Sequence, residues 1–169
     1  QIVRARAWLE AAGQARLLGE AGSAQVAARA REILDGALPG LELDADMRWR
    51  ALTALARLDA VSANELEVQR KADPTASGIT HHLQASSSMP HQDLKAEVFE
   101  RLLSDTSVSN DHIDALVAGF AIDAHRELTA SFTPRYLREI QGLWAERGQE
   151  IATRLVVGLF PSCGDEADA

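Results

Sequence analysis

The chain has 169 residues, with 25 acidic side chains against 17 Lys and Arg, and a formal net charge of -8. That length suits one domain with a core of its own, and 46% hydrophobic with 25% charged residues is a globular balance. The acidic pI of about 5.1 argues against a nucleic-acid partner, which needs a basic face, and against a polybasic membrane-surface role.

Other classes fall away on single features. Cys163 is the one cysteine, so no internal disulfide can form, and a reducing cytoplasmic setting is expected. The apolar run Leu155 to Phe160 is interrupted by Gly158 and is far too short to span a bilayer. The chain opens at Gln1, without a Met or a visible signal peptide, and Arg4 and Arg6 already lie in a helical pattern. It is therefore expected to be a piece of a longer protein.

Alanine and leucine fill 51 positions, and no segment alternates with period two, so every element is expected to be a helix. The first covers about Ile2 to Leu18 and ends at Gly19 and Gly22. Ser23 caps a second, with Val26, Ala30, Ile33, Leu34 and Ala37 as its apolar stripe, and Pro39-Gly40 breaks the chain. Asp44 caps a third, carrying Met47, Ala51, Leu52, Leu55 and Leu58 on one face. Ser62 and Glu65 form a capping-box pattern for a fourth. Asp73-Pro74 reads as cap and first-turn proline of a fifth.

After the Met89-Pro90 break, Leu94, Val98 and Leu102 recur every four residues in a sixth helix, with Glu97 and Arg101 as an i,i+4 pair. Ser109 caps a seventh, with a stripe of Ile113, Leu116, Val117 and Phe120. A short eighth spans about Ala124 to Ala130. Thr133-Pro134 opens a ninth with Leu137, Ile140 and Trp144 on its apolar face. The last carries Ile151, Leu155, Val156 and Leu159 and ends at Pro161. Residues 162–169 hold three acids and no large apolar side chain, and are expected to be a mobile acidic tail after a helical-repeat domain over 1–161. Pair starts near Asp44, Asp73, Ser109 and Thr133 have the rhythm of stacked antiparallel helix pairs, an all-α armadillo- or HEAT-like superhelix. A compact bundle gives almost the same pattern.

Catalytic or metal-binding constellations do not emerge. His81, His82, His91, His112 and His125 lack the His-Glu-x-x-His spacing that puts two ligands and a base on one helix face. Adjacent His81 and His82 point about 100° apart on a helix. Ser86-Ser87-Ser88 lacks a nucleophile-elbow context. Cys163 stands beside Asp165 and Glu166, and acids raise a thiol's pKa, so an activated cysteine is not expected there. Asp44 with Asp46, and Asp111 with Asp114, sit where acids complement helix N-termini. Trp8, Trp49 and Trp144 read as core or inter-helix anchors. No catalytic, cofactor-binding or metal residue is assigned.

Several segments, in order, resemble one family. Asp44-Ala-Asp-Met-Arg-Trp49 through Leu58, Asp73-Pro-Thr-Ala-Ser-Gly78 and Lys95-Ala-Glu-Val-Phe-Glu100 followed by Leu103 and Ser109-Asn110 carry the likeness. Gly119-Phe120, Tyr136, Trp144, Glu150-Ile-Ala152 and Gly158-Leu-Phe-Pro161 extend it. Together they resemble the C-terminal helical domain of the bacterial aminopeptidase N family. Phe99 departs from the family's usual Trp, Ala121-Ile-Asp123 from a more polar turn, and Leu137 from a common Phe. The resemblance implies a gluzincin zinc aminopeptidase as parent, with a β-saddle domain and a thermolysin-like catalytic domain preceding a helical superhelix. In such a parent the zinc ligands and peptide-binding motifs lie in the catalytic part. The helical domain would pack on that part, wall off an inner chamber and limit which peptides reach the zinc. Two rivals need no such parent. One is a free-standing helical-repeat module with a protein partner. The other is a ligand-sensing domain of a regulator, which the charge and the lack of a basic recognition helix disfavour.

Overall fold

The computed structural model describes residues 2–161, and these form helices and turns only. The α-helices are α1 (Ile2–Ala12), α2 (Gly19–Leu34), α3 (Ala45–Arg57), α4 (Ala63–Ala72), α5 (Ala76–Ser87), α6 (Gln92–Ser104), α7 (Asn110–Phe120), the single turn α8 (Arg126–Thr129), α9 (Thr133–Glu146) and α10 (Gln149–Gly158). The acidic tail, with Cys163, and Gln1 lie outside the described residues.

Three sequence-expected caps form as read. The Asp44 carboxylate accepts from Met47 N at 2.7 Å and starts α3. Ser62 and Glu65 exchange both bonds of a capping box at α4. Ser109 Oγ accepts from His112 N at 3.4 Å at the start of α7. α3 ends with Ala60 N donating to Leu55 O and Asp59 N to Ala56 O, and Asp59 takes the left-handed φ of 58° that closes this motif.

Other boundaries move, each for a tertiary reason. The expected helix over 2–18 stops at Ala12 and gives way to a 3-10 turn, Ala15–Leu18. At Gly13 the Arg57 side chain crosses the backbone, so that a Cβ would stand 2.7 Å from Nη1. Gly19 opens α2, and Ser23 lies within that helix as Oγ donor to Ala15 O at 3.1 Å, not as a cap. Ala37 falls past the end of α2. Asp73 does not cap α5: its carboxylate accepts from Trp49 Nε1 at 2.9 Å and Thr75 Oγ1 at 2.7 Å, and Thr75 takes over the cap. Phe132 precedes α9, so Thr133 is its first residue and Pro134 stays in the first turn. The expected short eighth helix is a chain of 3-10 and α turns over 123–132. Arg101 lies 3.7 Å from Asp105 and does not turn to Glu97.

The helices stack as a two-layer repeat. α2 packs on α3, α4 on α5, α6 on α7 and α9 on α10, while α1, α3, α5, α7 and α10 contact one another in sequence as an inner row. This is the stacked-pair architecture and not a closed bundle. The pairs start at Gly19, Ala63, Gln92 and Thr133, so the sequence-read starts at Asp44, Asp73 and Ser109 mark second helices of pairs.

Two apolar cores fill the stack. One is built around Met47, Trp49, Leu52, Leu55 and Leu66, the other around Phe99, Leu116, Phe120, Tyr136 and Leu155. Trp49 is fully buried, and truncating such a ring costs about 3–5 kcal/mol. Trp8 is half-buried against the first core. Trp144 is not a core anchor: α9 buries Tyr136 and Leu143, leaving Leu137 56% and Trp144 55% exposed. Among the described residues no helix is long and apolar enough to cross a membrane.

Candidate functional site

The inner row carries two grooves that meet on α7. The first, about 520 Å³, runs between α5 and α7 and is lined by Ser77, Thr80, His81 and Gln84 on one side and Asp111, Asp114 and Ala118 on the other. The second, about 700 Å³, lies between α7 and α10, where Asp114 and Ala118 face Thr153, Arg154 and Val157. The spacing of Asp111, Asp114, Ala115 and Ala118 puts them on one helical face.

Glycine sets how closely these helices approach. At Gly119 a Cβ would coincide with Ser87 Oγ and stand 2.8 Å from Gln84 O, so α7 meets α5 backbone to backbone. Small side chains, Ala115 in the first groove and Ala118 in both, line the grooves on α7. The rim is ionic. Arg154 lies 3.0 Å from Asp114 and 2.9 Å from Glu150, and these carboxylates raise its pKa.

Behind the grooves lies a buried polar knot. Lys95 of α6 is 0% exposed, and its Nζ donates to Ser87 O at 2.7 Å and Gly119 O at 2.6 Å. Those carbonyls belong to the last turns of α5 and α7, where a donor is needed. Burial first, and the nearby Arg57 charge second, push the Lys95 pKa down to about 7. His125, 2% exposed, contacts Arg57 O through Nε2 at 2.8 Å, the ring donating. Burial pushes its pKa down to about 4. The knot joins the first core to the second.

The sequence-flagged histidines do not converge. His81 stacks on Trp49, with centroids 6.2 Å apart, and His91 bonds Asp59 at 2.9 Å on the surface. His82 Nε2 lies 3.3 Å from Ser86 Oγ and 3.7 Å from Glu67. Both contacts use one ring nitrogen, whereas a relay needs the base's second nitrogen on its carboxylate. Among the described residues no group of three His, Cys, Asp or Glu is arranged to hold a metal ion. The described donors do not fit zinc.

The paired carboxylates also have structural partners. Asp46 bonds Arg50 at 2.9 Å and Arg6 at 3.1 Å, and Asp114 holds Arg154. The knot itself escaped sequence reasoning. One signal was available: Lys95 is one of two lysines beside 15 arginines. A compact ammonium or amine fits between two carbonyls where a planar guanidinium would not.

The fold defines a helical-repeat domain. The model of the ERAP1-like C-terminal domain family matches residues 9–169, and the chain belongs to that family. Aminopeptidase N of Streptomyces lividans is 33% identical over 132 residues, covering 77% of this chain and 15% of that protein. The chain thus spans less than a sixth of the length of that relative.

Proposed function

We propose that this chain is the non-catalytic C-terminal domain of a cytoplasmic, zinc-dependent aminopeptidase N. The remaining polypeptide removes N-terminal residues from peptides and holds the zinc. This domain walls off the active-site chamber and restricts which peptides enter. Family membership carries the reading. It is supported by the small share of the relative that the chain covers. The face with the two grooves meeting at Asp114 and Ala118 is the one we assign to the chamber side. It is lined by small, polar and charged side chains, Ala118, Thr80, Asp114 and Arg154 among them.

Zinc content and turnover of the parent polypeptide and of this chain test the proposal. The expected result is one zinc per parent chain with aminoacyl-arylamide hydrolysis, and neither for residues 1–169 alone. Zinc-dependent turnover by residues 1–169, or a parent without either property, would refute it.

A further inference from the structure

α9 carries one broad apolar stripe. Tyr136 and Leu143 lie in the second core, and Ile140 is partly buried against it. Leu137 and Trp144, at spacings of three and four from Ile140, form the outer edge of the stripe and are more than half exposed. Val156 of α10 completes a groove of about 420 Å³ with Ile140, Gln141 and Trp144, and no charged side chain lines it. Single exposed apolar residues are ordinary. Val3, Leu17, Leu18 and Val68 are exposed in this way elsewhere on the chain; Leu137 and Trp144 differ in sharing one stripe on the last helix pair, and a helical stack needs a polar outer face at its end to stand alone.

We propose that the Leu137–Ile140–Trp144 stripe with Val156 is a docking face for an uncharged, apolar segment of the same polypeptide outside residues 1–169. This rests on reading the chain as one domain of a larger aminopeptidase.

Two observations select that occupant over a second copy. The first is size. A half-exposed Trp144 offers on the order of 100 Å², and the four side chains together about 300 Å². A stable dimer needs about 800 Å² from each partner. A segment on the same chain needs far less, because tethering supplies an effective concentration of order millimolar. The second is length: the chain covers 15% of the relative it matches, so most of such a polypeptide is available to cover the groove. The groove's lack of charge fixes the chemistry, since a charged side chain placed there would lose water and gain no partner.

The test is hydroxyl-radical footprinting of the parent polypeptide, read residue by residue by mass spectrometry. The expected result is Trp144 oxidised within about twofold of the buried Trp49, at every protein concentration. In Trp144→Glu the Leu137 rate rises about fivefold, while Trp144→Phe stays near wild type. Trp144 oxidised tenfold or more faster than Trp49 overturns the proposal. So does protection that appears only where sedimentation shows a dimer. Arylamide turnover is measured on the same samples. An active parent with an exposed Trp144 loses the docking face and keeps the proposed function. An inactive parent with a protected Trp144 does the reverse.

Discussion

Replacing Lys95 with Met removes the one side chain that closes the last turns of α5 and α7. Lys95 is fully buried, and Met keeps its length without a donor. Ser87 O and Gly119 O then lose the bonds of 2.7 and 2.6 Å. Each unpaired buried carbonyl costs about 1–3 kcal/mol, partly offset by removing a buried charge. The net loss is about 3 kcal/mol, or roughly 10 °C in Tm for a domain of this size.

The pH dependence tests the reasoning more sharply. The Lys95 pKa falls from 10.5 to about 7 on folding. Between those values the unfolded chain holds a proton that the folded chain has released, so the lysine's contribution to stability rises with pH across that window. A neutral amine has two N–H groups, matching the two carbonyls. The stability gap between wild type and Lys95→Met should therefore widen by about 2 kcal/mol from pH 7 to pH 9. Urea titrations followed by circular dichroism at several pH values read both quantities. A gap that stays flat or narrows with pH would mean that the buried group is an ammonium. A variant within about 0.5 kcal/mol of wild type would mean that the bridge between α5 and α7 carries no stability.

Gly119→Ala forces a Cβ onto Ser87 Oγ and within 2.8 Å of Gln84 O; the expected loss is about 3 kcal/mol in the same titration, and a loss below about 0.5 would refute the close α5–α7 crossing. His125 is held neutral by burial, with its pKa lowered from 6.5 to about 4. Its contribution to stability is complete above pH 6.5 and is lost as the pH falls toward 4, at up to about 1.4 kcal/mol per unit. His125→Gln should flatten the acid limb of the stability curve relative to wild type, and an unchanged limb would place the imidazole in water.

Where a local rule had no competitor, the sequence was a sufficient guide. Asp44, Ser62 with Glu65, and Ser109 cap α3, α4 and α7 because the groups they satisfy lie within four residues. Asp73 had a rival partner 24 residues away in the Trp49 indole, and that bond moves the α5 cap to Thr75. The break at Gly13 depends on Arg57, far along the chain. On α9 the apolar stripe is broad, and periodicity alone cannot choose which edge meets the core; Tyr136, which also bonds Val156 O at 2.6 Å, is buried and Leu137 is left exposed. The stacked pairs were legible in their number, but the pairing was shifted, since α3, α5 and α7 close pairs that α2, α4 and α6 open. The Lys95–His125 knot was invisible because its acceptors are backbone carbonyls, and these leave no mark in a sequence.

The proposed role of the domain is to limit peptide access to a chamber built elsewhere in the polypeptide. Ala118 is exposed on α7 and borders both grooves, so Ala118→Trp fills the assigned chamber face without entering the core. The most direct measurement is kcat/KM of the parent for a series of peptides of increasing length, beside a small aminoacyl arylamide. The account expects the arylamide to stay within about twofold of wild type, while the longer peptides lose on the order of tenfold, or about 1.4 kcal/mol. Equal changes for all substrates, or none for any, would contradict it.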